Sequence, residues 1–107
     1  MTKDGNITVR YLQAYIKAKD YQPKKAAEYF IKLSEELGEL AWAIRKDLRP
    51  EREGQVKNTV DEELWDMMYY LLALANCYDI DLEQVIRAKE EMNRTRYPSP
   101  VVFEQNR

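Results

Sequence analysis

Residues 33–44 read LSEELGELAWAI and residues 62–74 read EELWDMMYYLLAL. In both, apolar residues return every three or four positions, the period of a helix and not the alternation of a strand. Each stretch carries a tandem acidic pair followed three residues later by another acid. One is Glu35-Glu36-Leu37-Gly38-Glu39 and the other Glu62-Glu63-Leu64-Trp65-Asp66. Residues three apart on a helix are neighbours, so Glu36 with Glu39 and Glu63 with Asp66 form two ledges of paired carboxylates. At about 100° per residue, Glu36 lies roughly 85° and Glu63 roughly 65° from the centre of its apolar stripe. Both border the packed face, so two such helices lying side by side and antiparallel set their ledges across one cleft.

Working outward, the same periodicity predicts four helices and an all-α, four-helix bundle-type protomer. The first covers about residues 8–19, with Val9, Leu12 and Ile16 on one side. The second starts near Pro23, runs to about Leu48, and has a stripe of Ala26, Phe30, Leu33, Leu37, Leu40, Ile44 and Leu48. Pro50 and Gly54, among Arg and Glu, mark a charged loop. The third spans about 56–78, with Val56, Val60, Leu64, Met67, Leu71, Leu74 and Tyr78 as its stripe. Asp81, followed by Gln84, resembles a capping box that opens the fourth, which runs to about Arg94. The chain reads as one domain over 1–107, with 1–6 and 99–107 as flexible or extended ends; Pro98 and Pro100 stop helix four from continuing. Ile31, Trp42, Trp65, Met68, Tyr69 and Leu72 fall away from the main stripes. Helices two and three therefore have two faces to cover, which predicts a homo-oligomer with a shared helical core.

Composition narrows the chemistry. The chain of 107 residues contains no histidine and one cysteine, Cys77. The usual zinc sites and Ser-His or Cys-His catalysis are thereby excluded, and Cys77 reads as a small packed hydrophobe. A net charge of −2 argues against a nucleic-acid polymer as partner. No apolar run suggests a signal peptide or a membrane span, so a cytoplasmic protein is expected. Four carboxylates in a half-buried cleft raise one another's pKa values unless a cation sits among them. Mg²⁺, or Mn²⁺ in its place, is the hard ion that suits oxygen ligands and substrate phosphates. On helix four the apolar stripe of Leu82, Val85 and Ile86 continues as Lys89, Asn93 and Arg96, groups suited to a polyphosphate. The opposing reading is a non-catalytic helical interaction module whose acidic ledges only solubilise it.

Together, Glu-Glu-x-x-Glu, then Glu-Glu-x-x-Asp, then Lys89 and Asn93-Arg94-Thr95-Arg96-Tyr97-Pro98 resemble the MazG-like all-alpha nucleoside triphosphate pyrophosphohydrolases. The similarity runs from about Tyr21 to Pro98, and Tyr21-Gln22-Pro23-Lys24 is similar to the dCTP pyrophosphatase-like branch. The resemblance implies a dimer or tetramer with Glu36, Glu39, Glu63 and Asp66 holding Mg²⁺. It implies that Lys89 and Asn93 contact the nucleotide and that Tyr70 lines the pocket. Where many members carry a lysine before the second tandem pair, this chain has Thr59, with Lys57 two residues earlier. The activity implied is hydrolysis of a (deoxy)nucleoside triphosphate to monophosphate and pyrophosphate, for nucleotide-pool control or house-cleaning. Phosphoribosyl-ATP or a modified nucleotide is the alternative substrate. Glu35, Glu36 and Glu62 are the carboxylates expected to orient or deprotonate the attacking water, with Arg96 beside Lys89 on the leaving pyrophosphate. Tyr21, Trp42 and Trp65 are the rings on which a base could stack.

Overall fold

Thr8 sets the start of the first helix. Its hydroxyl accepts from the Tyr11 N–H at 3.0 Å, capping α1 (Val9–Lys19). The computed structural model describes residues 5–106. Pro23 opens a short 3-10 turn, Pro23–Lys25, that leads directly into α2 (Ala26–Arg45). Thr59 caps α3 (Val60–Cys77) by accepting from the Glu62 N–H at 3.3 Å. Asp81 caps α4 (Leu82–Arg96) through the Glu83 N–H at 3.0 Å. All four expected helices form, and the described residues contain no strand.

Two boundaries differ from the sequence reading. α2 ends at Arg45 and not near Leu48, and α3 begins at Val60 and not near 56. Asp47 and Asn58 adopt left-handed backbone, at φ 50° and 63°, which neither helix can absorb. The intervening loop is closed by the Val60 N–H donating to the Leu48 carbonyl at 2.8 Å. At the C-terminus the chain leaves helix after Arg96, and Gln105 lies back along α4, its amide donating to the Arg87 carbonyl at 3.3 Å. Of the ends expected to be flexible, residues 1–4 and 107 lie outside the described residues.

α2 and α3 form an antiparallel hairpin, with α1 against α3 and α4 against α1. Ile16 is wholly buried and packs with Tyr29, Leu72 and Ala73, flanked by Val9, Leu12, Tyr69, Leu74 and Leu82. Beside this core lies a polar junction. The Gln13 amide donates to Asn76 Oδ1 at 3.1 Å and to the Ile80 carbonyl at 2.7 Å, while Gln13 Oε1 accepts from the Leu82 N–H at 3.0 Å. The Asn76 amide donates back to the Gln13 carbonyl at 2.9 Å. The two side chains thus tie α1 to the end of α3 and the start of α4. Replacing Asn76 by Leu leaves buried Gln13 groups without partners, at a cost of about 1–3 kcal/mol. A thermal melt should fall by about 5–15 °C; an unchanged midpoint would show the junction to be incidental.

The expected apolar stripe of α2 is only partly the core of one protomer. The helix turns Tyr29 and Ala43 inward, with Leu33, Glu36 and Leu40 half-buried between them. Phe30, Leu37 and Ile44 are exposed to 59%, 56% and 57%. On α3, Leu64, Met68 and Leu71 are exposed as well, as is Tyr78 just past its end. These residues occupy the same side of the hairpin, roughly 120–180° around the helix axes from Glu39 and Asp66. The radius of gyration, 16.3 Å, exceeds the ~13 Å usual for a chain of this length. One protomer is a two-helix slab with α1 and α4 set on one side.

Candidate functional site

The antiparallel pairing brings the two acidic motifs together. Glu36 on α2 and Glu63 and Asp66 on α3 offer carboxylate oxygens that all lie within 4.8 Å of one another. Glu63 is buried, and its Oε2 has no hydrogen-bond donor among the described residues. Among the described residues its neighbours are carboxylates, and a proton shared with Glu36 is the hydrogen bond they can offer it. Burial, that interaction, and the charges of Glu36, Asp66 and Glu39 push the Glu63 pKa up to about 7. Asp66 is also raised, first by burial and then by Glu36 and Glu62, with Lys57 opposing the shift. A buried oxygen without a donor, facing two further carboxylates, is a donor set that suits a hard divalent cation. Glu39 stands outside the tight group, exposed, and lines the adjoining cleft with Glu62 and Glu63.

The other expected residues divide by position. Glu62 is half-buried on the cleft wall, and one of its oxygens accepts from the Asn58 N–H at 2.9 Å. Glu35 faces outward beside Lys32 at 3.6 Å and does not line the cleft. Tyr70 lies one turn beyond Asp66, edge-on to Tyr69 with ring centroids 5.4 Å apart. It lines a smaller hollow with Tyr29 and Lys32.

The residues on α4 are not brought to the cluster within one protomer. Lys89 and Arg96 are exposed, and the Arg96 guanidinium lies over the Tyr97 ring at 5.5 Å. Asn93 Oδ1 is buried without a partner among the described residues, in a hollow lined by Tyr97 and Phe103. The cause is the way α4 is anchored. Arg10 on α1 pairs with Asp81 at 2.8 Å and with Glu83 at 3.6 Å, holding the start of α4 against α1.

A cleft between the acidic ledges was expected, but not its extension under the loop that joins α2 to α3. It encloses about 860 Å³ between the end of α2, the loop of residues 46–59 and the first turn of α3. A signal for it was present in the Thr59-x-x-Glu62 capping pattern, which starts α3 at Val60 and leaves a structured loop before it. Cys77 donates weakly to the Gln22 carbonyl at 3.6 Å, and burial raises its pKa, as befits an unreactive thiol.

The model of the family described as phosphoribosyl-ATP pyrophosphohydrolase matches residues 12–93. This chain belongs to that family, the MazG-like all-α pyrophosphohydrolases. The crystal structure of iMazG from Vibrio DAT 722 superposes with a TM-score of 0.78 at 39% identity, covering 87% of this chain and 100% of that one. The fold is thus that of a MazG-like protomer. Among curated proteins, dCTP pyrophosphatase 1 of Bos taurus is 37% identical over 67 residues, 63% of this chain and 34% of that protein. The uncharacterized protein YpjD of Bacillus subtilis (strain 168) is 38% identical over 55 residues, half of each chain. The chain spans between a third and a half of the length of these curated relatives. Among the described residues of this MazG-like chain, no helix is long and apolar enough to cross a membrane.

Proposed function

We propose that the chain hydrolyses nucleoside triphosphates to monophosphate and pyrophosphate, with Mg²⁺ held by Glu36, Glu39, Glu63 and Asp66. The observation that carries this reading is the donorless Glu63 oxygen in a three-carboxylate cluster, opening onto a cleft large enough for a nucleotide. Bound there, the ion would screen the phosphate charge from the incoming nucleophile and polarise the phosphorus. Glu62, tethered through one oxygen to Asn58, is the best placed of the three water-orienting carboxylates; its other oxygen takes the proton. Water attacks the α-phosphorus in line, the bond to the bridging oxygen breaks, and pyrophosphate departs. Lys57, which acts on Asp66 electrostatically, offsets charge on the substrate phosphates. The reading is tested by pyrophosphate release with Mg²⁺ across the canonical NTPs and dNTPs. The family description favours adding phosphoribosyl-ATP to that panel. No release from any of them would leave the helical interaction module.

The exposed faces of α2 and α3 are covered, in this reading, by a second copy. Phe30, Leu37 and Ile44 with Leu64, Met68 and Leu71 form a continuous apolar surface too large for a finished monomer. Pairing of two such slabs makes the shared helical core of a dimer, or half that of a tetramer. Lys89, Asn93 and Arg96 then reach the carboxylates from a neighbouring copy. Mixing inactive Asp66→Asn protein with inactive Lys89→Ala protein should restore up to a quarter or so of wild-type turnover, as random pairing of subunits dictates. No recovery after subunit exchange would put Lys89 in its own protomer's site or outside any site.

A further inference from the structure

The carboxylate cluster accounts for one end of a nucleotide; the 860 Å³ cleft beside it has walls of a different character. We propose that this cleft takes the nucleoside, with Trp42 as the stacking platform and the side-chain amides of Gln55 and Asn58 as the groups that read the base. The inference rests on the pyrophosphohydrolase reading and adds to it the residues that set substrate choice.

Position comes first. Glu63 belongs to both the three-carboxylate cluster and the cleft wall, where Glu39 and Glu62 stand beside it, so a ligand with its phosphates at the cluster extends into the cleft. Of the three aromatic side chains suggested by the sequence, only Trp42 lines it. Trp65 is met edge-on by Tyr69 at 6.1 Å, and Tyr21 lies under the Lys17 ammonium at 4.7 Å. Trp42 is 52% exposed and has no ring or cation contact among the described residues. Leu48 and Val56 supply further apolar wall.

The polar groups of the cleft differ in availability. Arg49 is engaged by Asp61 at 2.9 Å. The side-chain amides of Gln55 and Asn58 make no hydrogen bond among the described residues. An amide offers both donors and an acceptor, which matches the mixed edge of a nucleobase. Stacking is tolerant of base identity, so Trp42 supplies affinity and the amides supply discrimination. The loop that presents them is already shaped. Leu48 N–H bonds the Ala43 carbonyl at 3.0 Å, Gln55 N–H the Arg52 carbonyl at 3.2 Å, and Thr59 N–H the Val56 carbonyl at 3.1 Å. Asn58 holds left-handed backbone at φ 63° while its N–H binds Glu62, linking base reading to the carboxylate that orients water.

The test uses the full chain in a Trp65→Phe background, where Trp42 is the sole tryptophan. Adding α,β-imido deoxynucleoside triphosphates with Mg²⁺ should quench its emission. Trp42→Ala should raise KM about tenfold across all bases with kcat within about twofold. Asn58→Gly, which keeps the left-handed backbone, and Gln55→Ala should change the ratio of kcat/KM between pyrimidine and purine substrates by about fivefold or more. Stabilisation of each variant by Mg²⁺ should match that of the parent. An active enzyme whose KM ignores Trp42, or an analogue that binds by calorimetry without changing Trp42 emission, overturns the inference alone. A parent protein that neither binds nor cleaves any nucleotide overturns the inference and the proposed function together.

Discussion

Exchanging Asp66 for Asn will cut pyrophosphate release by about a hundredfold or more while making the metal-free protein more stable. The two effects have one cause. The substitution preserves shape but removes one charge from a cluster in which Glu63 is buried and Asp66 is itself raised by burial and by its acidic neighbours. A loss of ~3 kcal/mol of barrier lowering at such a centre corresponds to about a hundredfold in rate. The same change relieves repulsion that the empty fold must tolerate. The pH dependence has a definite sign. Glu63 binds its proton up to about pH 7 when folded, against its ordinary 4.5. Between these values the folded state holds more protons than the unfolded one, so stability of the metal-free protein falls as pH rises. Below that window both states are protonated and the penalty is absent. Mg²⁺ should therefore raise the melting temperature far more at pH 8 than at pH 5, and raise that of Asp66→Asn little at either. Retained turnover in Asp66→Asn, or a melting point indifferent to Mg²⁺ at pH 8, would sink the metal assignment.

The second large effect concerns assembly. Leu37→Asp puts a carboxylate in the middle of the exposed apolar face of α2, between Phe30 and Ile44. If that face is covered by another copy, the charge is desolvated without a partner, at a cost of about 4 kcal/mol. That equals roughly a thousandfold in the association constant. Light scattering should show dissociation to protomers at micromolar concentration, with a lower melting point because the protomer core is small. A variant that keeps the wild-type mass places the interface elsewhere.

The helices were legible because their periodicity and caps are local properties. Asp81 caps α4 as its residue type suggests, and Pro23 stands where a helix is entered. The pairing of acidic motifs was legible because Glu36, Glu63 and Asp66 border packed faces on successive helices. Three things were not. The stripe through Phe30, Leu37 and Ile44 carries the same periodicity as a core face, and nothing in a single chain distinguishes a face buried by itself from one left outward. The ends of α2 and α3 depend on left-handed Asp47 and Asn58, a choice made by the loop and not by helix propensity. The placement of Lys89 and Arg96 depends on Arg10 gripping Asp81 and Glu83 more than seventy residues away in the chain.

The hairpin of α2 and α3 is a slab only one helix thick, with carboxylates on one side and the apolar stripe on the other. Under the proposed function, neighbouring positions on the same helix answer to different demands: Glu36 and Glu39 to chemistry, Leu37 between them to assembly. Mutational drift on the outer side can alter which chains associate while the inner side is held constant. Such a scaffold can diversify its quaternary arrangement, and duplicated copies can lose the ability to mix, without reinventing the reaction.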